Sequence, residues 1–280
     1  MQWIEVEGAS IEYAWCMPGP GDDDRLPVAP IVFLHHGFGC VADWKSFPGK
    51  VAQATGIPAL VYSRRGCGAS SPLLRPRDMN YLHEEARQFM PMLLDALGVQ
   101  QCHVYGHSDG ATIALLFASA FPDRALSSVV EAPHVFAEGI TLKSVETMAS
   151  RFERDPDFRG RLSKYHRDPN GAFRSWAEAW LLPSFRSWSI VDDLDKLQLP
   201  LLVIQGTADP FGTMEHARLI QERAGQTVLI TELPASGHNP HIDAETVTLG
   251  AVARFLRGME NGTSDNGRRK RKDSASLAKF

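Results

Sequence analysis

A serine between two glycines is the part of this sequence with the clearest chemical meaning. Ser108 is the centre of a Gly-X-Ser-X-Gly pattern at 106–110, which follows an apolar run and precedes a helical pattern at 111–118. A serine on a sharp turn from strand to helix presents its hydroxyl above the sheet, and flanking glycines let the two elements approach closely. The pattern predicts a nucleophile if the rest of the chain supplies a base, an acid and an oxyanion hole.

An aspartate and a histidine follow the serine in the order that such chemistry requires. A serine hydroxyl is a weak nucleophile at neutral pH and needs an imidazole to take its proton, and the imidazole needs a carboxylate to fix its tautomer. Asp209 follows a predicted strand at 201–204, and His238 lies in a loop after a predicted strand at 227–230. The order Ser108, Asp209, His238 is that of an α/β-hydrolase triad.

Other residues compete for both of these roles. His241 lies three residues after His238 and is a rival base, although no glycine precedes it. Asp193 and Asp243 are rival acids. Asp193 comes before the strand at 201–204, so we expect it at the opposite end of the sheet from the serine.

Two backbone N–H groups are candidates for the oxyanion hole, which must hold the negative charge that forms when a carbonyl is attacked. One belongs to Asp109, directly after the serine, and the other to Phe38, just after a predicted strand at 31–34. Trp176 and Trp180, which are candidate substrate contacts, are also suited to packing in the core of the helical segment that contains them. The candidate substrate contacts are His36, Asp109, Trp176 and Trp180.

Alternating strands and helices are expected to position these residues. Helices are predicted at 45–54, 82–97, 213–224 and 244–257. Such alternation indicates an α/β fold with a mostly parallel sheet and helices on both faces, whose functional residues gather at the carboxyl ends of the strands. Two short strands are predicted within 2–16, and the others at 31–34, 59–62, 102–105, 125–130, 201–204 and 227–230.

One long segment, 133–196, interrupts this alternation. It shows no strand pattern, is punctuated by prolines and is rich in arginine and aromatic residues. We interpret it as a helical cap inserted into a core formed by residues 1–132 and 197–258. Residues 259–280 predict a disordered tail with a basic run at 268–272. The run also fits a localisation signal or a site for an anionic partner.

Composition narrows the classes of protein that the chain can represent. A formal net charge of −4 disfavours nucleic-acid binding, and the 4 cysteines, none in a Cys-X-X-Cys pair, predict free thiols rather than a zinc or redox site. The N-terminus lacks a signal-peptide pattern, and no apolar run reaches the roughly 18 residues that span a membrane. We expect a cytoplasmic monomer or homodimer that acts on a small molecule without a metal or other cofactor.

Four motifs taken together resemble those of the α/β-hydrolase superfamily, and they extend over nearly the whole chain. Any one of them is a weak signal, whereas four in order at predicted strand ends form a specific one. The resemblance implies the α/β-hydrolase fold, an enzyme and the triad named above. The motifs are His-Gly-Phe-Gly at 36–39, Gly-His-Ser-Asp-Gly at 106–110, Gly-Thr-Ala-Asp at 206–209 and Gly-His-Asn-Pro at 237–240.

Two further stretches are similar to the biphenyl hydrolase-like and valacyclovir hydrolase-like branch of that superfamily. They are Ser-Asp-Gly at 108–110 and Arg-Arg-Gly-Cys-Gly-Ala-Ser at 64–70. The resemblance implies that Asp109 receives a substrate amino group, although Ala111 stands where that branch has a second glycine. Arg64 and its neighbouring arginine are expected to brace the rim of the site by ion pairing.

The leading functional hypothesis is a cofactor-free serine hydrolase. It would cleave an ester, thioester or activated amide of a small to medium substrate through an acyl-enzyme. One alternative is hydrolysis of a carbon–carbon bond, or ring opening, with His238 acting mainly as a base. Another is a small-molecule receptor or scaffold that keeps a hydrolase fold.

Overall fold

The computed structural model describes residues 1–19 and 29–258, and its centre is one sheet of eight strands in the order β1-β2-β4-β3-β5-β6-β7-β8. The six strands β3 to β8 run parallel to one another, whereas β1 and β2 at one edge pair antiparallel. The predicted α/β fold class and the predicted strands are therefore confirmed. The strands are β1 Gln2–Val6, β2 Ala9–Cys16, β3 Ile31–Leu34, β4 Ala59–Tyr62, β5 Cys102–His107, β6 Ala125–Glu131, β7 Leu201–Gly206 and β8 Val228–Leu233.

Helices connect the strands and cover both faces. One helix was predicted at 82–97, but a π-helical turn at Glu85–Phe89 interrupts it just before Pro91. Proline has no N–H to donate, which favours a break in the regular hydrogen-bond pattern there. The helices are α1 Phe47–Thr55, α2 Tyr81–Glu84, α3 Met90–Ala96, α4 Asp109–Ala120, α5 Gly139–Arg154, α6 Pro156–Leu162, α7 Pro169–Trp180, α8 Val191–Leu194, α9 Glu215–Ala224, α10 Pro240–Asp243 and α11 at 245–258.

Two hydrophobic clusters form the core, one on each face of the sheet. Successive side chains of a strand point to opposite faces, so Val32 of β3 joins one cluster and Phe33 the other. The same division separates Val104 from Tyr105 in β5. Because β5 is buried on both faces and α4 is buried almost throughout, the turn between them has a rigid support.

Helices α5 to α8, which we call the inserted helices, lie between β6 and β7 in the segment predicted to be a cap. The segment also contains one isolated β-bridge, between Phe136 and Ser189, where no strand was predicted. That residues 133–196 form a cap distinct from the rest of the chain remains a prediction. Across the two described ranges, no helix combines the length and apolar character needed to cross a bilayer. The predicted tail at 259–280 lies outside the described residues.

Candidate active site

Ser108 occupies a strained turn between β5 and α4. Its φ of 56° and ψ of −119° lie in a region that L-residues rarely adopt. The turn is possible because a side chain at Gly106 would overlap the Gly110 carbonyl, and one at Gly110 would overlap the carbonyl of Leu34. The two glycines therefore allow strand, helix and neighbouring strand to meet closely enough to raise the serine above the sheet.

The imidazole of His238 lies between the serine and Asp209. Its Nε2 is 2.9 Å from Ser108 Oγ, and its Nδ1 is 2.9 Å from both carboxylate oxygens of Asp209. A carboxylate only accepts hydrogen bonds, so Nδ1 carries the proton and Nε2 is free to accept one from the serine. The structure brings Asp209 to this imidazole, and does not bring Asp193 or Asp243 there.

Asp209 is held in place by two further donors. The backbone N–H of Phe211 donates to Oδ1 at 2.8 Å, and the Gln205 side chain donates to Oδ2 at 3.0 Å. Burial raises the pKa of this carboxyl, but the adjacent His238 and the Phe211 N–H outweigh burial and lower the pKa to about 2. The carboxylate is therefore ionised at neutral pH and oriented toward the imidazole. No sequence pattern indicated Gln205 in this role.

The loop at 36–39 carries the predicted oxyanion donor of Phe38 and is fixed from behind. Arg64 was expected to form ion pairs, but its Nη2 instead donates to the carbonyls of His35, at 3.1 Å, and His36, at 2.6 Å. Arg77 Nη1 donates to the Gly37 carbonyl at 3.0 Å. Because Arg64 and Arg77 hold the carbonyls of the loop, its backbone N–H groups can face Ser108.

His36 also contributes to the rigidity of this loop. Its Nε2 is 2.7 Å from Asp43 Oδ2, and its ring packs edge-on against Phe38 with centroids 4.7 Å apart. Burial raises the pKa of Asp43, but the hydrogen bond and charge of His36 outweigh it and lower the pKa to about 2.

The other predicted oxyanion donor is the backbone N–H of Asp109. Asp109 is the first residue of α4, so its N–H has no carbonyl partner in the first turn of that helix.

A cavity of about 120 Å³ lies against the serine. His36 and Trp176, two of the predicted substrate contacts, line it, whereas Trp180 does not. Trp180 is buried, and its indole N–H donates toward Asp109 Oδ1 at 3.2 Å and Tyr81 Oη at 3.0 Å. The sequence did not reveal Met148, Phe211 or Asn239. The lining residues are His36, Gly37, Phe38, Ser108, Met148, Trp176, Phe211, His238 and Asn239.

The side chain of Asp109 points away from this cavity. Oδ2 accepts a hydrogen bond of 2.5 Å from the Tyr81 hydroxyl, Oδ1 accepts the bond from Trp180, and the whole residue is buried. The Arg64 guanidinium lies close enough to interact electrostatically with this carboxylate. The structure therefore places the Asp109 carboxylate behind Ser108, whereas the backbone N–H of Asp109, the predicted oxyanion donor, lies at the start of α4.

A second histidine–carboxylate pair lies beside the triad, formed by the rival base His241 and by Glu131. Glu131 Oε1 accepts from the backbone N–H of His241 at 2.7 Å and from its Nδ1 at 2.8 Å, and Oε2 accepts from Tyr105 at 2.6 Å. His107 Nε2 donates to the His238 carbonyl at 2.7 Å. We call Glu131, His241 and His107 the brace, because they fix the loop that carries His238 to β5 and β6.

Ligand atoms of the brace lie within 4.8 Å of one another, an arrangement that could hold a metal ion. Each of the three side chains is, however, engaged in a hydrogen bond within the protein. Burial raises the pKa of Glu131 and lowers that of His241, but their mutual attraction prevails, giving Glu131 a pKa of about 2 and raising the pKa of His241. We therefore interpret Glu131 and His241 as a buried ion pair and the whole brace as having a positioning role.

Removing one charge of this buried pair is expected to destabilise the protein strongly. In Glu131→Gln, we expect the free energy of unfolding to fall by about 3–5 kcal/mol, because His241 is left without a counterion in the interior. Because the pKa of Glu131 is lowered, its charge stabilises the fold above pH 4.5, and this stabilisation is lost as the pH falls toward 2. Because the pKa of His241 is raised, its charge stabilises the fold below pH 6.5. The loss of unfolding free energy in Glu131→Gln should therefore be largest between pH 4.5 and pH 6.5, as measured by urea unfolding.

Glu245→Gln is the matched control for this measurement. Glu245 pairs with Lys50 at 2.6 Å, but both side chains are about 40% exposed. An exposed pair of this kind contributes at most about 1 kcal/mol. Equal losses in the two variants, or a loss in Glu131→Gln that does not change with pH, would contradict the assignment of a buried ion pair.

The sheet is mostly parallel, and Ser108, Asp209 and His238 follow β5, β7 and β8. The chain belongs to the alpha/beta hydrolase family, and a sequence model of that family matches residues 31–248. The resemblance deduced from the motifs is thereby confirmed. A curated relative, the bifunctional esterase/perhydrolase of Acinetobacter calcoaceticus, is 20% identical over 269 residues, covering 82% of this chain and 92% of that protein.

Solved structures share the same fold. A meta-cleavage product hydrolase from Pseudomonas fluorescens superposes with a TM-score of 0.72 at 15% identity, over 92% of this chain and 98% of that one. An enol-lactonase from Burkholderia xenovorans gives a TM-score of 0.69 at 18% identity, over 91% of this chain and 99% of the other. At these identities the likeness establishes the fold and leaves the substrate open.

Proposed function

We propose that this hydrolase cleaves an ester, thioester or activated amide through an acyl-enzyme on Ser108. The observation that carries the proposal is the continuous series of hydrogen bonds from Ser108 Oγ through His238 to Asp209, with every distance at 2.9 Å. In this series the serine has a base, and the base has a carboxylate that fixes its tautomer. Similarity to an esterase/perhydrolase supports the same reaction class.

The proposed reaction has two stages. Ser108 Oγ attacks the carbonyl carbon as its proton moves to His238 Nε2, and the N–H groups of Phe38 and Asp109 hold the oxyanion. Collapse of this intermediate breaks the bond to the leaving group, which takes the proton from His238. In the second stage His238 accepts a proton from water, the resulting nucleophile attacks the acyl carbon, and the released Oγ regains a proton as the acid leaves.

Mixing the enzyme with excess p-nitrophenyl acetate tests this proposal. We expect a burst of p-nitrophenol close to one equivalent of enzyme if deacylation is slower than acylation. Acid quenching should then trap one acetyl group on the peptide that contains Ser108, as read by mass spectrometry. Steady turnover without an acylated Ser108, together with unchanged turnover in Ser108→Ala, would contradict an acyl-enzyme and would favour the alternative in which His238 activates water or a carbon acid directly.

A further inference from the structure

The cavity beside Ser108 is small for a substrate-binding site. Its volume of about 120 Å³ is below the roughly 150 Å³ of an apolar protein cavity that accommodates benzene. Sites for larger ligands typically measure about 300–1,000 Å³. The part of the substrate held against the serine is therefore limited to a few non-hydrogen atoms.

The inserted helices close this cavity with two side chains of different character. Trp176 of α7 packs directly on the oxyanion loop, since a Cβ at Gly37 would overlap the indole and the Phe38 ring lies 4.8 Å from it. It is 5% exposed and has little freedom to move. Met148 of α5 is half-buried and unbranched, so it limits the cavity without supporting the loop.

The cavity offers no counterion to a charged acyl group. Its described lining residues include neither a carboxylate nor a lysine or arginine, and the polar side chains among them are Ser108, His36, His238 and Asn239. Burying an unpaired charge against such a lining is strongly unfavourable. The apolar side chains of the lining are those of Phe38, Met148, Trp176 and Phe211.

Asp109, the carboxylate nearest the serine in the sequence, does not supply that counterion. Both of its oxygens accept hydrogen bonds, from Tyr81 and Trp180, and the residue has no exposed surface. A substrate ammonium could reach it only if the buried cluster opened. The amino-group contact expected from the sequence resemblance therefore lacks an accessible carboxylate in this protein.

From these observations we propose that the acyl group of the substrate is short and uncharged, with a chain of about two to four carbons. Met148 and Trp176 set the length limit, and the engagement of Asp109 excludes amino-acyl substrates. This inference rests on the proposed function and adds the substrate class. The inference assigns the cavity to the acyl group and sets no limit on the leaving group.

A series of p-nitrophenyl esters tests the inference on the intact protein. We expect kcat/KM to be highest between acetate and butanoate, and to fall by about tenfold or more for each methylene beyond butanoate. The p-nitrophenyl ester of alanine should react more slowly than the propanoate, which differs from it only by the amino group. In Met148→Ala, the ratio of hexanoate to acetate should rise by about tenfold or more.

Met92→Ala is the matched control, because Met92 is also half-buried but lies in α3 and does not line the cavity. It should leave the ratio of hexanoate to acetate unchanged. Preferred turnover of octanoate or of the alanine ester, or an equal change of ratio in both methionine variants, overturns the inference and leaves the acyl-enzyme intact. Failure of all esters to react or to acylate Ser108 overturns the proposed function and the inference together.

Discussion

In Ser108→Ala, kcat for ester hydrolysis is expected to fall by about 10⁶-fold. The alanine leaves the base, the carboxylate and the oxyanion donors in place but removes the atom that forms the covalent bond. Water would have to replace it without the fixed position that Ser108 Oγ holds, 2.9 Å from His238 Nε2. A residual acceleration of about 10³–10⁴-fold over water should remain, because substrate binding and the oxyanion donors do not depend on the serine.

Ser119→Ala is a suitable control for this change. Ser119 lies in the same helix that follows the nucleophile, is buried, and has a side-chain oxygen without a hydrogen-bond partner among the described residues. We expect its kcat to remain within about twofold of wild type, since its removal breaks no polar contact. Labelling by a fluorophosphonate, read by intact mass, should disappear only in Ser108→Ala.

Comparing Ser108→Ala with His238→Ala separates the proposed reaction from its main alternative. If His238 acts as a base without an acyl-enzyme, Ser108→Ala keeps appreciable turnover of the true substrate while His238→Ala loses it. An unchanged rate or unchanged labelling in Ser108→Ala would contradict the nucleophile assignment outright.

The parts of this site that were predictable from sequence depend on local pattern. Ser108, Asp209 and His238 could be placed together because each follows a predicted strand, and parallel strands bring their carboxyl ends to one edge of a sheet. The turn at the serine was equally predictable, since only glycine fits the close approaches at 106 and 110. These inferences need only the order of the elements.

The parts that were not predictable depend on contacts between distant segments. The Glu131–His241 pair joins residues 110 positions apart, and the direction of the Asp109 carboxylate depends on Trp180, 71 residues later. Met148 could not be distinguished from other half-buried residues of an amphipathic helix, because its contact with the cavity depends on how α5 lies over the sheet. Packing of this kind is a tertiary property that no local spacing specifies.

Asp209→Asn is expected to lower kcat by about 10⁴-fold while leaving the fold intact. The oxygen of the Asn amide would still accept from the Phe211 N–H, and its nitrogen would replace Oδ2 and face the imidazole, which removes the acceptor that Gln205 Nε2 has in the wild type. An NH₂ group facing Nδ1 favours the tautomer that carries its proton on Nε2. That tautomer cannot accept the proton of Ser108, so the loss should appear in kcat and much less in KM.

The pH dependence gives a second check on the role of Asp209. Its pKa of about 2 lies below the ordinary 3.8, so the stability that its charge provides is present above pH 3.8 and is lost only as the pH falls toward 2. An acid limb of wild-type kcat near neutral pH must therefore come from a group other than Asp209. Asp193→Asn, which changes the rival acid bound to Arg87 and Lys196, should leave kcat within about threefold of wild type. If Asp193→Asn lost as much activity as Asp209→Asn, or Asp209→Asn stayed within tenfold of wild type, the carboxylate of the triad would have to be sought elsewhere.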